Sequence, residues 1–260
     1  MNRCVRRVIH GFSVPLIFCL MICAAYGQPP APSKEGKGPA PRKAPSDPQL
    51  TGIQKGAFNI YVEDQLKGTE EFGVEPAGNE FVARGKIHLT ITRDEKPVQY
   101  YIDTELNLKP NFDPIRYSMV QKFEGNTSSI KMTFQDGKAT ADFSTSVGTE
   151  KRDYQLAPGV ALLDDNIFHH YALLAERYDY EKGGLQEFPA FIPQESIGGV
   201  LHIIYKGDEN VDVGGKSMAV QHLLVDTNDL KLDLYVEGNQ HRLVKMEVPS
   251  SKVVVVLQKG

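Results

Sequence analysis

The chain has no tryptophan, and its three cysteines, Cys4, Cys19 and Cys23, all precede Gln28. If that leading segment is removed, no disulfide, thiolate nucleophile, cysteine metal ligand or disulfide-linked partner remains. The missing indole takes away the usual platform for sugar rings. No run of lysine and arginine occurs, and the formal charge is -4. Phosphate neutralisation needs clustered cations, so no nucleic acid is expected as a partner. Also missing are a G-x-S-x-G elbow, a P-loop, a G-x-G-x-x-G turn, a C-x-x-C pair and an H-E-x-x-H helix. No cofactor and no catalytic residue can be named, and the expectation is a protein that is not an enzyme.

What is present begins with Arg3, Arg6 and Arg7, then an apolar run from Phe12 to Ala25 and the small-x-small triplet Ala25-Tyr26-Gly27. That is the pattern of a cleaved Sec-type signal peptide over residues 1–27, with a run too short to span a bilayer comfortably. Its removal takes the formal charge from -4 to -7. Residues 28–50 carry seven prolines and no aromatic residue, so they form no core and read as a disordered tether. The remaining residues, 51–260, suffice for a single β-rich domain held together by its own core. An exported, cysteine-free domain fits a bacterial periplasmic or extracellular location.

Within that domain, residues alternate strictly between apolar and polar. Phe81, Ala83, Gly85, Ile87, Leu89 and Ile91 oppose Val82, Arg84, Lys86, His88, Thr90 and Thr92, giving a sheet with one dry and one wet face. Similar strands are predicted through Phe58–Val62, Thr69–Val74, Val98–Leu106, Ile115–Met119, Ile130–Phe134, Ala139–Val147, Leu201–Tyr205, Met218–Val225, Leu230–Val236, Val244–Val248 and Val253–Leu257. Asp136-Gly137 is a strong hairpin signal. Val253–Val256 is apolar on both faces, so this last strand must be paired on both sides or covered. One segment departs from the pattern: Leu163, Ile167, Tyr171, Leu174 and Tyr178 recur at helical spacing, with Asp164 or Asp165 placed to cap the start. The predicted fold is mainly β, a long, strongly curved antiparallel sheet or unclosed β-barrel with this one amphipathic helix packed in its concave face.

Two groups of residues invite a chemical reading. On a helix Asp165 and His169 share a face and could begin a metal site, but no third ligand follows, and a capping aspartate and two partly exposed histidines, His169 and His170, explain the same residues. Asp208–Gly214 has oxygen ligands at alternate positions, yet Val213 stands where a calcium loop needs glycine and Ala219 where it needs glutamate. No metal is therefore expected. His88 reads as a solvated face residue, and His202 and His222 lie in strands without an identifiable partner. Carboxylate pairs of glycoside hydrolases are set in space rather than in sequence, which leaves a secreted hydrolase as an alternative.

Three stretches carry a resemblance: LLDDNIFHHYALLAERYD, YKGDENVDVGG and LDLYVEGNQHRLVKMEVPSSKVVVVLQ. The chain resembles an uncharacterised exported bacterial domain-of-unknown-function family, similar in layout to periplasmic lipoprotein carriers of the localisation-factor type. The resemblance implies an unclosed barrel whose concave apolar face, lidded by helices, holds acyl chains. The functional expectation is a non-catalytic envelope binding protein for a lipid or other hydrophobic small molecule, lined by Leu163, Ile167, Phe168, Tyr171 and Leu174. The alternative is an envelope scaffold or interaction domain with a filled core and a protein partner.

Overall fold

Two-residue turns with a left-handed backbone set the architecture. Glu63-Asp64, Asp94-Glu95, Glu124-Gly125 and Asp136-Gly137 all have positive φ. That is the hairpin conformation whose twist matches the flanking strands, so each turn delivers the next strand antiparallel to the last. The computed structural model describes Leu50 and residues 54–227 and 230–258. The expected signal peptide over 1–27 and nearly all of the expected tether lie outside the described residues. Leu50 itself is buried and donates its N–H to the Pro110 carbonyl.

The first meander runs β1 (Gln54–Val62), β2 (Gln65–Ala77), β3 (Glu80–Arg93), β4 (Lys96–Leu108), β5 (Pro114–Phe123), β6 (Asn126–Gln135), β7 (Lys138–Thr145) and β8 (Gly148–Gln155). A two-residue β9 (Ala161–Leu162) and helix α1 (His169–Arg177) follow. The second meander is β10 (Leu185–Ile192), β11 (Ile197–Asp212), β12 (Ser217–Asp226), β13 (Lys231–Glu237), β14 (Arg242–Val248) and β15 (Val253–Leu257). Among the described residues the fifteen strands form one sheet, with β8 at one edge and β9 at the other. The fold is the expected mainly β, curved, open sheet with one helix on its concave side. Among the described residues no helix is long and apolar enough to cross a membrane.

The valine strand is where the requirement read from the sequence is met. β15 pairs antiparallel with β1 on one side and β14 on the other, joining the two meanders. Val253 and Val255 are buried in the main core, while Val256 packs on a second cluster of Val213, Val220, Tyr235 and Val244 on the opposite face. The loop read as strand edge and turn rather than calcium site is that: β11 runs to Asp212, paired with Ser217 across Gly214-Gly215.

The structure corrects the expected helix. α1 begins at His169 rather than Leu163, and residues 163–168 are turns and coil. Neither Asp164 nor Asp165 caps it, because the residue at the cap is Phe168. β8 and β10 are additional strands. β8 reads GTEKRDYQ and lacks apolar alternation because it is a mostly exposed edge, where charges block pairing with another chain. Pro189 sits inside β10 because β9 pairs only with Ala190 and Phe191, leaving no partner that needs a proline N–H.

Burial distinguishes positions in this sheet sharply. Val255 is 0% exposed and Val147 is 92% exposed. An aspartate at 255 puts an unpaired carboxylate in the seam between the meanders, so Val255→Asp is expected to abolish cooperative urea unfolding. Val147→Asp should stay within about 0.5 kcal/mol of the parent. Equal midpoints for the two variants would contradict the central placement of β15.

Candidate functional site

The dry face of β2 should carry only apolar side chains, yet Glu70 stands in line with Phe72 and Val74 and is 0% exposed. Its register explains what it does. Phe72 pairs with Gly85 on β3, and Gly85 with Thr104 on β4, so two small residues leave a depression in the concave floor beside Glu70. The N-terminus of α1 fits into it. A Cβ on Gly85 would lie 2.6 Å from His169 Cε1 and 3.1 Å from Glu70 Oε1. Glycine is required at Gly85 for this close approach rather than for its backbone angles.

Glu70 then does for the helix what no local cap does. Its Oε2 accepts the backbone N–H of Phe168 at 2.9 Å and of His169 at 3.1 Å. Its Oε1 lies 2.6 Å from His169 Nδ1. The free N–H groups of a helix N-terminus are thus satisfied by a strand 98 residues earlier. Burial pushes the Glu70 carboxyl well above its usual range and the His169 imidazole down to about 3. Both shifts favour an uncharged pair that shares one proton, so we read this contact as a short neutral hydrogen bond and not as an ion pair.

Beside this pair lies a second polar group. Tyr117 on β5 donates to Asp164 Oδ2 at 2.6 Å, while Asp164 Oδ1 accepts the N–H of Gln194 at 3.0 Å. Burial raises Asp164 to about 7 against the pull of these donors. Asp165 rises to about 8 through burial first, then the charges of Asp164 and Glu195. His170 is edge-on to both Tyr117 and His169, and burial and His169 hold it well below the usual imidazole value. Among the described residues, His169 Nε2, both ring nitrogens of His170, Thr104 Oγ1 and Asn166 Oδ1 have no hydrogen-bond partner.

The five lining residues expected from the sequence are all core. Leu163, Ile167, Phe168, Tyr171 and Leu174 are at most 4% exposed and belong to one cluster with both meanders. Only Tyr171 and Leu174 lie on α1. The weak metal candidates Asp165 and His169 do not share a helix face, since Asp165 precedes the helix and His169 Nδ1 turns to Glu70. Among the described residues no group of three histidine, cysteine or acidic side chains could hold a metal. The other histidines do have partners: His222 lies 2.7 Å from both Glu209 Oε1 and Asp233 Oδ1, His202 3.3 Å from Glu187, and His88 is stacked on Tyr101. Sequence reasoning missed Glu70, Gly85, Thr104 and Tyr117. Glu70 alone left a signal, as a charge in the dry register of its strand.

No family model matches the chain, and no curated protein matches it. A solved structure that resembles it is that of a DUF1089 family protein from Pseudomonas aeruginosa, at 12% identity and a TM-score of 0.41. The match covers 69% of this chain and 89% of that one. At this level the likeness carries no argument about function.

The buried titratable groups give stability a defined pH dependence. His169 and His170 are held below their unfolded value of 6.5, so their contribution is present above it and lost as pH falls. Asp164 and Asp165 are held above 3.8, so theirs is present at acid pH and lost as pH rises through about 7 and about 8. The two slopes oppose each other below 6.5, and only the carboxyl slope remains above it. Thermal melts should therefore show Tm falling from pH 6.5 to 8.5, with a shallower fall in Asp165→Asn. A second expectation concerns the depression: Gly85→Ala should cost about 1–3 kcal/mol in urea unfolding. In the background His169→Ala that cost should shrink, and an unchanged cost in the double variant would show the clash to lie elsewhere.

Proposed function

We propose that the chain is an exported, non-catalytic binding protein of the bacterial cell envelope that takes a lipid or other hydrophobic molecule between the concave sheet face and the 163–177 segment. The observation that carries this reading is the set of unpartnered polar atoms inside the apolar interior. A core with only a packing role satisfies its buried polar groups, since each open one costs about 1–3 kcal/mol. Here His169 Nε2, His170 Nδ1 and Nε2 and Thr104 Oγ1 stay open among apolar side chains. A molecule with a small polar end and an apolar body would complete both. His169 and His170 are fully buried and held neutral, which fits hydrogen bonding to a guest better than acid–base turnover.

The layout likeness to lipoprotein carriers belongs to the same reading. In such a protein the helix segment acts as a lid. With Leu163, Ile167, Phe168, Tyr171 and Leu174 all buried, a ligand enters only when this segment moves. That burial also favours a second reading, an envelope interaction domain whose helix is a permanent plug.

Native mass spectrometry of the exported protein, with organic extraction, separates the two. The binding reading expects a co-purified apolar molecule and uptake of a neutral naphthylamine dye. Thr104→Val removes one open hydroxyl at constant shape and should reduce retention of that molecule without lowering stability. A protein that is reproducibly empty, excludes the dye and gains stability from Thr104→Val has a filled core and is the plug.

A further inference from the structure

Charge is divided unevenly between the inside of this protein and its surface. The acidic side chains sealed from solvent are Glu70, Asp164 and Asp165, and no lysine or arginine is buried with them. Arg177, at the far end of α1, is turned to the Gly159 carbonyl and the Phe188 ring. A continuous set of contacts ties the acidic groups to the two histidines. Glu70 Oε1 lies 2.6 Å from His169 Nδ1, and the His169 and His170 rings are 4.7 Å apart. The His170 ring stands edge-on to Tyr117 at 5.9 Å, and Tyr117 Oη donates to Asp164 Oδ2. Asp164 Oδ1 accepts the N–H of Asp165 at 3.3 Å and that of Gln194, from the Pro193–Ser196 turn between β10 and β11, at 3.0 Å.

Glu70 and Asp164 are thus provided with donors, and Asp165 is not. Asp165 is 2% exposed, and both its carboxyl oxygens lack a partner among the described residues. Beside it in the chain, Asn166 Oδ1 is open as well. A second and chemically different group is open in the same neighbourhood: both ring nitrogens of His170, which is 1% exposed. A neutral imidazole keeps one acceptor nitrogen, so Asp165, Asn166 and His170 together present acceptors and call for donors. Water would donate to them but carries no charge to set against a buried carboxylate. A bare metal ion is not suited either, since no group of three histidine, cysteine or acidic side chains among the described residues could hold one. An alkyl acid or a phosphate would bring a further negative group to an interior without a cation.

We propose that the polar end of the guest is a protonated primary amine, seated on the open atoms of Asp165, Asn166 and His170, so that the protein selects long-chain amines over long-chain acids and alcohols. The assignment rests on the binding reading above and gives its guest a chemical class. An alkylammonium supplies three N–H donors and the missing positive charge, and its chain lies among Leu163, Ile167, Phe168 and Tyr171 of the same core. Burial, and then the charge of Asp164, push the Asp165 carboxyl up to about 8, and an ammonium against it removes that cost.

Displacement of a neutral naphthylamine dye from the exported protein at pH 7 tests this with four probes of equal chain length: decylamine, decanol, decanoate and decyltrimethylammonium. Decylamine is protonated there and should displace the dye at a concentration roughly tenfold or more below that of decanol. Decanoate should be the weakest. Decyltrimethylammonium has the charge without N–H donors and should not exceed decanol. Asp165→Asn and His170→Leu should each bring the decylamine-to-decanol ratio towards one. The ratio is read within each variant, and either variant suffices if the other folds poorly. Decanol or decanoate acting as well as decylamine overturns the amine and leaves binding intact, as does a ratio that survives the substitutions. Decyltrimethylammonium as strong as decylamine overturns the seat on the open atoms. Dye that is never taken up overturns the binding reading itself.

Discussion

A carboxyl group sealed from solvent on β2 holds the helix segment of this protein in place. Glu70 accepts two N–H groups at the start of α1 and shares a proton with His169, all within a depression made by Gly85 and Thr104. Desolvation makes either partner of the Glu70–His169 contact costly on its own. Once it forms, the 163–168 segment is drawn across the concave face, Asp164 reaches Tyr117, and the Pro193–Ser196 turn is brought onto the carboxyl groups.

The sheet provides the frame for that contact. The β1–β15 pairing joins two meanders that each end in a weak edge, β8 exposed and charged, β9 only two residues long. Curvature brings those edges together, and the Tyr154, Arg152, Phe191 and Ser196 side chains meet there.

Charge balance inside the cluster is equally one-sided. Three carboxyl groups and two imidazoles are buried with no cation among them, so neutrality depends on retained protons and unprotonated rings. Glu70 and Asp164 satisfy backbone N–H groups that leucine would leave open, whereas the open atoms of His169, His170 and Thr104 serve no such contact.

Much of the fold was legible in the sequence because strand periodicity and turn residues are local. Ala83–Ile91 alternates as written, while Val82 on the expected wet face is buried; Asp136-Gly137 turns where its residues demand, and the double-faced valine strand had to be interior. β8 and β10 were not legible, because an edge strand and a proline-bearing strand are defined by the partner they lack. The helix start was misplaced for a related reason: Asp164 and Asp165 have capping chemistry, but the Asp164 carboxyl is claimed by Tyr117 and Gln194, and both residues lie before the cap at Phe168. The site was the least legible part. By itself the sequence determined a dry concave face, a protected last strand and one helical segment, since each follows from the order of apolar and polar residues along the chain. Only the tertiary structure decided that Glu70 would meet His169, and that the carboxyl groups would gather under the seam, because these contacts depend on which strands become neighbours and on how much water is excluded between them.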